Sequence, residues 1–495
     1  MKAFKVCYVS SEVAPFVKTV EANGLAKTSG ALPAALKEME QDVRLMMPKY
    51  KSINERKFVL REVIRLREME IQLGKKDLLA NGKTAFLPYS KVHVYFLSVP
   101  EYFDRKGCYE DIKTGKSYPD NAERFGFFCK SVIETLKLLY WQPDIIHCSD
   151  WATALIPYYL KTHYKDDDFF QNTRTVLTVH NLNLQGQFPA KEAKKIGIDA
   201  GDVKRGGSVE LDGKLNFLKA GLGHADIINL TSEYERAHVL QHPEAAFGLG
   251  DILERRKNDV FGIAGGTDDS LWNPEEDSVI ATKYEMKTLV NRAENKARLL
   301  EELACTCEKN TPFLGIILDF NNAQAFQLTR KILPDLLKKD ICILLVNDNE
   351  SRAEVDLSSL VNQSKGKLIV RERMDKRLAH LLMAGADIIF IPNEFSRGDG
   401  FHLNSLRYGA VPVTPAFGEI SDSIEDFNAE TGKGNGFTFT ALNKTEALAA
   451  INRALKTLED PKVWVKLQKN GMKGDYSWRN TAQKYLKLYE TAMKK

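Results

Sequence analysis

Short apolar runs alternating with amphipathic helical stretches set the limits on how this chain folds. The first instance spans residues 5–48, KVCYVSSEVAPFVKTVEANGLAKTSGALPAALKEMEQDVRLMMP. Residues 5–10 read as a buried strand, 12–29 as a long polar loop, 30–40 as a helix and 42–47 as the next strand, which makes a βαβ unit. A helix that starts just after a loop at the carboxyl end of a first strand is where α/β proteins hold anionic ligands, because free N–H groups and the helix dipole point there. The same alternation returns at 92–98, 145–148, 175–179 and 227–230, then at 313–317, 342–346, 367–370, 388–391 and 411–414. It predicts mostly parallel sheets covered on both faces.

At 495 residues the chain exceeds one core and suits two domains of about 200 to 250 residues each. A polar segment, 258–277, separates the halves and reads as a hinge around Gly265 and Gly266. With 43% hydrophobic and 27% charged residues and a formal charge of +4, the composition is ordinary for a globular protein. Neither nucleic acid nor a membrane is expected as a partner: no strong basic excess exists and no window approaches 18 uninterrupted apolar residues. The chain enters a strand at once, without a basic stretch and a cleavage site, so the cytoplasm is the expected compartment. Seven scattered cysteines include Cys305-x-Cys307, which lacks a second pair and any nearby His, so neither a metal nor another cofactor is expected.

The wording of the opening stretch is more specific than its shape. KVxxVSSEVAPFxKT, followed by Gly-Leu-Ala, GALPxAL and DVRxxxPxY, resembles the start of bacterial glycogen synthases and plant starch synthases, retaining glucosyltransferases that extend α-1,4-glucans from ADP-glucose. The resemblance continues through YPDNAERFGFF (118–128), DIIHCSDWATALIP (144–157), TVHNLNLQGQFP (178–189), LNFLKAGLGHAD (215–226) and FGLGDILERR (247–256). It extends to GIAGGTDDSLWNP (262–274), MAGADIIFIP (383–392), LRYGAVPV (406–413), GNGFTF (434–439) and DYSWRNTAQKYLKLY (475–489). It implies the α/β architecture called GT-B, two doubly wound Rossmann-like domains facing across a cleft, with a C-terminal helix crossing back to the first. The implied division is an acceptor-side domain 1–262, a hinge and linking helix 263–310, a donor-side domain 311–474 and a crossover helix 475–495.

The residues that would meet the donor depart from the family pattern. Where relatives carry Ser-Arg-Leu-Thr-x-Gln-Lys-Gly after the first strand of the second domain, alignment from Gly315 puts Asp319 at the arginine and Gln324 at the lysine. The Phe-Glu-Pro-Cys-Gly-Leu-Thr-Gln motif becomes Phe395-Ser396-Arg397-Gly398-Asp399-Gly400-Phe401-His402, so Ser396 replaces the carboxylate and Asp399 adds negative charge. Glu419 stands in the Thr-Gly-Gly motif, and Gly265 replaces the hinge asparagine. A departing diphosphate needs fixed positive charge. One charge pair about 5 Å apart at an effective dielectric of about 20 is worth roughly 3 kcal/mol, so reversing its sign is a swing of about 6 kcal/mol. That amounts to about four decades in rate or affinity. Arg397 is either surface charge or a substitute clamp.

The first domain keeps more of the pattern. His180 and Asn181 match the His-Asn whose histidine lies close to the transferred glucose, Asp150 and Trp151 match an Asp-Trp pair, and Tyr109 falls near a cleft tyrosine. Ser149 and Ala152 replace histidines beside that pair. Asp150 also suits a helix N-cap, so cap and ligand contact both stand open, as do a core and a catalytic role for His180. Lys18 keeps the phosphate-facing lysine in identity and is otherwise an exposed loop lysine. Val20, Glu21 and Ala22 are three extra residues, after which Asn23 and Gly24 occupy a Gly-Gly position and Lys27 an aspartate position. The implied function is a glucan synthase whose ADP-glucose transfer is weak or absent, with glycogen as a retained partner. The alternative is a catalytically silent glucan-binding or scaffolding relative.

Overall fold

The apolar runs form strands within a residue or two of the expected positions. The structure, a computed structural model, describes residues 3–19, 24–348, 357–393 and 400–495. Residues such as those of Phe313–Leu318 and Cys342–Asn347 are buried along the whole strand, as expected for parallel strands covered on both faces. The chain divides into two compact units, one comprising Met1–Gly265 with Trp478–Lys495 and the other Gly266–Ser477.

In the first unit, Lys5–Val9 lies inside a 10-stranded sheet, parallel to Asp42–Pro48 on one side and Ile145–Ser149 on the other, with Val6 opposite both Val43 and Ile145. His93–Ser98 follows Asp42–Pro48, while Arg174–Val179, Ile227–Leu230 and Val260–Gly262 continue beyond Ile145–Ser149. The order of strands therefore reverses between Lys5–Val9 and Ile145–Ser149. In open α/β sheets such a reversal opens a crevice at the carboxyl ends of the two strands. The C-terminal helix Trp478–Ala492 belongs to this unit, where Tyr485 and Tyr489 reach the buried Asn229 and His147.

The second unit holds a six-stranded parallel sheet in the order Leu368–Arg371, Cys342–Asn347, Phe313–Leu318, Ile388–Phe390, Val411–Pro415, Phe437–Phe439. Its reversal lies between Phe313–Leu318 and Ile388–Phe390, with Leu314 opposite Ile388. The second unit thus repeats the plan of the first.

Two local features differ from the sequence expectation. The first helix is Leu25–Glu38, beginning five residues before the expected 30, because Leu25, Ala26 and Ser29 bury one side of its opening turns. Gly24 precedes it at φ +87°, a left-handed conformation that glycine adopts without a Cβ clash. Two antiparallel strands, Met69–Leu73 and Lys76–Phe86, flank the first sheet where no strand was expected. Among the described residues, no helix is long and apolar enough to cross a membrane.

Candidate functional site

The reversal in the first unit gathers polar groups from three strand ends. Ser10, Ser11 and Glu12 follow Lys5–Val9, Asp150 and Trp151 follow Ile145–Ser149, and His180 and Asn181 follow Arg174–Val179. Glu12 is fully buried and accepts hydrogen bonds from the Thr19 backbone N–H, from Thr19 Oγ1 at 2.8 Å and from Tyr109 OH at 2.8 Å. Burial pushes its carboxyl upward from the usual range, against the bonds from Tyr109 and Thr19, and the nearby Asp150 charge adds to the rise. The Tyr109 phenol is also pushed up, first by burial and then by Glu12.

Tyr109 links this acid to an aromatic group. Its ring lies 5.5 Å from Trp151, which also packs edge-on against Phe125 at 4.8 Å. Gly186 closes the other side at φ +61°, where a Cβ would meet Trp151 Cε3 at 2.4 Å. Only glycine fits that close approach.

Asp150 resolves one alternative left by the sequence. It sits at the N-cap position of the 3-10 turn Trp151–Thr153 yet makes no capping bond, and Oδ1 instead accepts from the His180 backbone N–H at 2.6 Å. Its backbone holds φ +58°, ψ −175°, a conformation that costs a non-glycine residue on the order of 1 to 3 kcal/mol. Such outliers persist where surrounding structure imposes them, commonly at functional sites. The His180 ring is buried with Nδ1 3.2 Å from Asp150 Oδ2, but neither ring nitrogen has a hydrogen-bond partner among the described residues. The buried imidazole thus has the strained Asp150 carboxyl as a close neighbour without a hydrogen bond to it. His147, one strand-end earlier, is the contrasting case: Nδ1 meets Tyr489 OH and Nε2 meets Thr178 Oγ1, each at 2.7 Å.

The remaining candidates scatter around this cluster. Asn181 is half-buried and accepts from the Asn183 N–H at 3.0 Å, Lys18 is exposed, and Gly24 opens the first helix. Glu12 was not singled out from the sequence, although it stands within the SSEVAPF motif; a lone acid in a loop carries no sign that folding will bury it.

The second unit presents a different chemistry at its reversal. Asp319 follows Phe313–Leu318, is 1% exposed, and accepts from the Asn321 N–H at 2.8 Å. Gln324 is exposed in the first turn of Ala323–Leu336, whose N-cap Asn322 accepts from the Ala325 N–H. Asn347 ends its strand buried, accepting from the Phe320 N–H at 3.0 Å. Glu419 is half-buried at the start of the 3-10 turn Glu419–Asp422, and Gly265 is half-buried where the units divide. Ser396, Arg397 and Asp399 lie outside the described residues, as do Val20, Glu21, Ala22 and Asn23.

Three cysteines lie together in the second unit. Cys342 opens its strand beside Cys305 and Cys307, so three sulfurs converge within 4.8 Å. Spacing along the chain did not foretell this grouping, because Cys342 is 35 residues beyond Cys307 and comes close only through sheet formation.

Residues 5–255 match the family model for the starch synthase catalytic domain. The glycogen synthase of Syntrophotalea carbinolica is 34% identical over 488 residues, covering 99% of each chain. That of Chlorobaculum parvum is 35% identical over 486 residues, covering 98% of each. The catalytic domain of starch synthase IV from Arabidopsis thaliana, bound to ADP and acarbose, superposes with a TM-score of 0.84 at 24% identity over the whole of both chains. The fold is accordingly GT-B, built from two doubly wound Rossmann-like units.

Proposed function

We propose, from the premise that this chain belongs to the starch and glycogen synthase family of glycosyltransferases, that it binds α-glucan through its first unit and transfers glucose from ADP-glucose weakly or not at all. The observation that carries this is Asp319. A buried carboxylate at the reversal of the second unit stands at the position where the family pattern has an arginine, and Gln324 stands at the lysine. A leaving ADP gathers negative charge, and an acid there repels what the reaction must stabilise. In the aligned motif Ser396 and Asp399 add no cation, and Glu419 brings a further acid.

Support for glucan binding comes from the first unit. Trp151 and Tyr109 offer an aromatic surface beside Glu12, Asp150, His180 and Asn181, a combination suited to the apolar faces and hydroxyl edges of sugars. His180 is the group placed closest to catalysis in this reading, and Lys18 the group assigned to phosphate. The protein then serves as a glucan-binding relative, with a regulatory or scaffolding place in glycogen metabolism.

Incubation of the purified protein with labelled ADP-glucose and glycogen tests the reading. Incorporation about four decades below that of a glycogen synthase assayed alongside is the expected result. Turnover on a per-second scale overturns it, and would direct attention to Arg397 and Lys27 as replacement cations.

A further inference from the structure

The geometry points to a thiolate site for a soft divalent cation of the zinc class, formed by Cys305, Cys307 and Cys342 in the second unit. These residues form the one group of three or more metal-ligating side chains converging in this way among the described residues. Cys305 and Cys307 stand on the segment between the helix Arg292–Glu302 and the strand Phe313–Leu318, and Cys342 is the first residue of Cys342–Asn347. Cys305 Sγ lies 3.7 Å from Cys342 Sγ. Zinc–thiolate bonds of about 2.3 Å at tetrahedral angles place neighbouring sulfurs about 3.8 Å apart, which matches that separation.

Cys307 and Cys342 are joined as a disulfide, with Cα atoms 6.4 Å apart. A disulfide engages two sulfurs and gives no reason for the third to approach. A metal centre accounts for all three, and the two states are alternative fates of the same residues. Reduction breaks the sulfur–sulfur bond and leaves three thiols: a phosphine gives up two electrons and becomes its oxide while water supplies the oxygen and two protons, or a dithiol gives up two electrons and two protons and becomes a disulfide. The incoming cation then displaces three protons to solvent and gains three sulfur bonds. Soft thiolates select zinc-class ions over magnesium or calcium.

The site's place in the sheet indicates its role. Cys342 is at the amino end of its strand, whereas Asp319 and Asn347 mark the carboxyl ends where α/β sheets bind substrates. The metal would clip the connecting segment to the amino end of that strand and would take no part in sugar chemistry. The four other free cysteines, Cys7, Cys108, Cys129 and Cys148, are buried in the first unit and fall outside the group.

The test uses the full chain, reduced with a phosphine under inert gas and titrated with Co²⁺, then with Zn²⁺. Thiolate-to-cobalt charge-transfer absorption should saturate at about one equivalent and vanish on zinc addition. Cys305→Ser and Cys307→Ser, at partly exposed positions, should each weaken binding by about tenfold or more. In the unsubstituted protein, zinc should slow alkylation of all three cysteines as read by mass spectrometry, which keeps the test independent of variant folding. Substoichiometric cobalt binding, absorption that survives in both variants, or alkylation unaffected by zinc would each overturn the assignment. These results do not depend on whether the chain transfers glucose.

Discussion

The two units share a plan and differ in what they place at its focus. In each, the parallel part of a sheet reverses its strand order, and a loop follows the first strand at that point. In the first unit that loop brings Glu12 to Tyr109 and Trp151, next to a strained Asp150 and an imidazole without hydrogen-bond partners among the described residues. In the second it brings Asp319, buried and engaged with the backbone of its own turn. A shared architecture therefore says where a ligand would lie, while side-chain charge decides which ligand is tolerated.

The contrast is most exposed to test at the second unit. Combining Asp319→Arg, Gln324→Lys and Ser396→Glu should tighten ADP-glucose binding by up to about four decades, read by calorimetry on a variant shown to be folded. No gain would mean that the donor positions are misplaced. In a native gel containing glycogen, these changes should leave migration as retarded as in the unsubstituted protein.

Trp151→Ala should do the reverse, releasing the protein from glycogen in the same gel. It should also cost about 3 kcal/mol or more in urea unfolding, because the ring packs against Tyr109, Phe125, Phe188 and Phe217. Unchanged retardation would remove the aromatic surface from the proposed glucan contact.

An effect that appears only on acidification separates the matched histidine from the unmatched one. Burial, followed by the His180 charge, holds His147 down at about 3, so in the native state it stays neutral where the unfolded chain takes up a proton near pH 6.5. The associated stability is complete above pH 6.5 and falls by up to about 1.4 kcal/mol per pH unit as pH drops from about 6.5 toward about 3. His147→Gln should flatten that slope in thermal unfolding followed across the same window; an unchanged slope would refute the assignment. Tyr489→Phe leaves one ring nitrogen without its partner and should cost about 1 to 2 kcal/mol, with glycogen retardation unaltered.

Legibility followed burial. Strands covered on both faces, such as Phe313–Leu318, read directly as unbroken apolar runs. Met69–Leu73 does not read as a strand although its exposure alternates strictly, because Glu70 and Gln72 break the run and the period-two signal is short. Motif wording singles out Asp150, Trp151, His180 and Tyr109, yet whether Asp150 caps a turn or holds a neighbouring loop depends on a partner 30 residues away. Glu12 is illegible in the sequence for the same reason, since its partner Tyr109 is 97 residues distant.

By itself the sequence determined the α/β class and the family, because these depend on residue type and local order. The tertiary structure decided which loops share a crevice, which acids lose their water and which three cysteines meet. Those outcomes arise from contacts between distant segments, and desolvation acts on a group only after the fold has enclosed it.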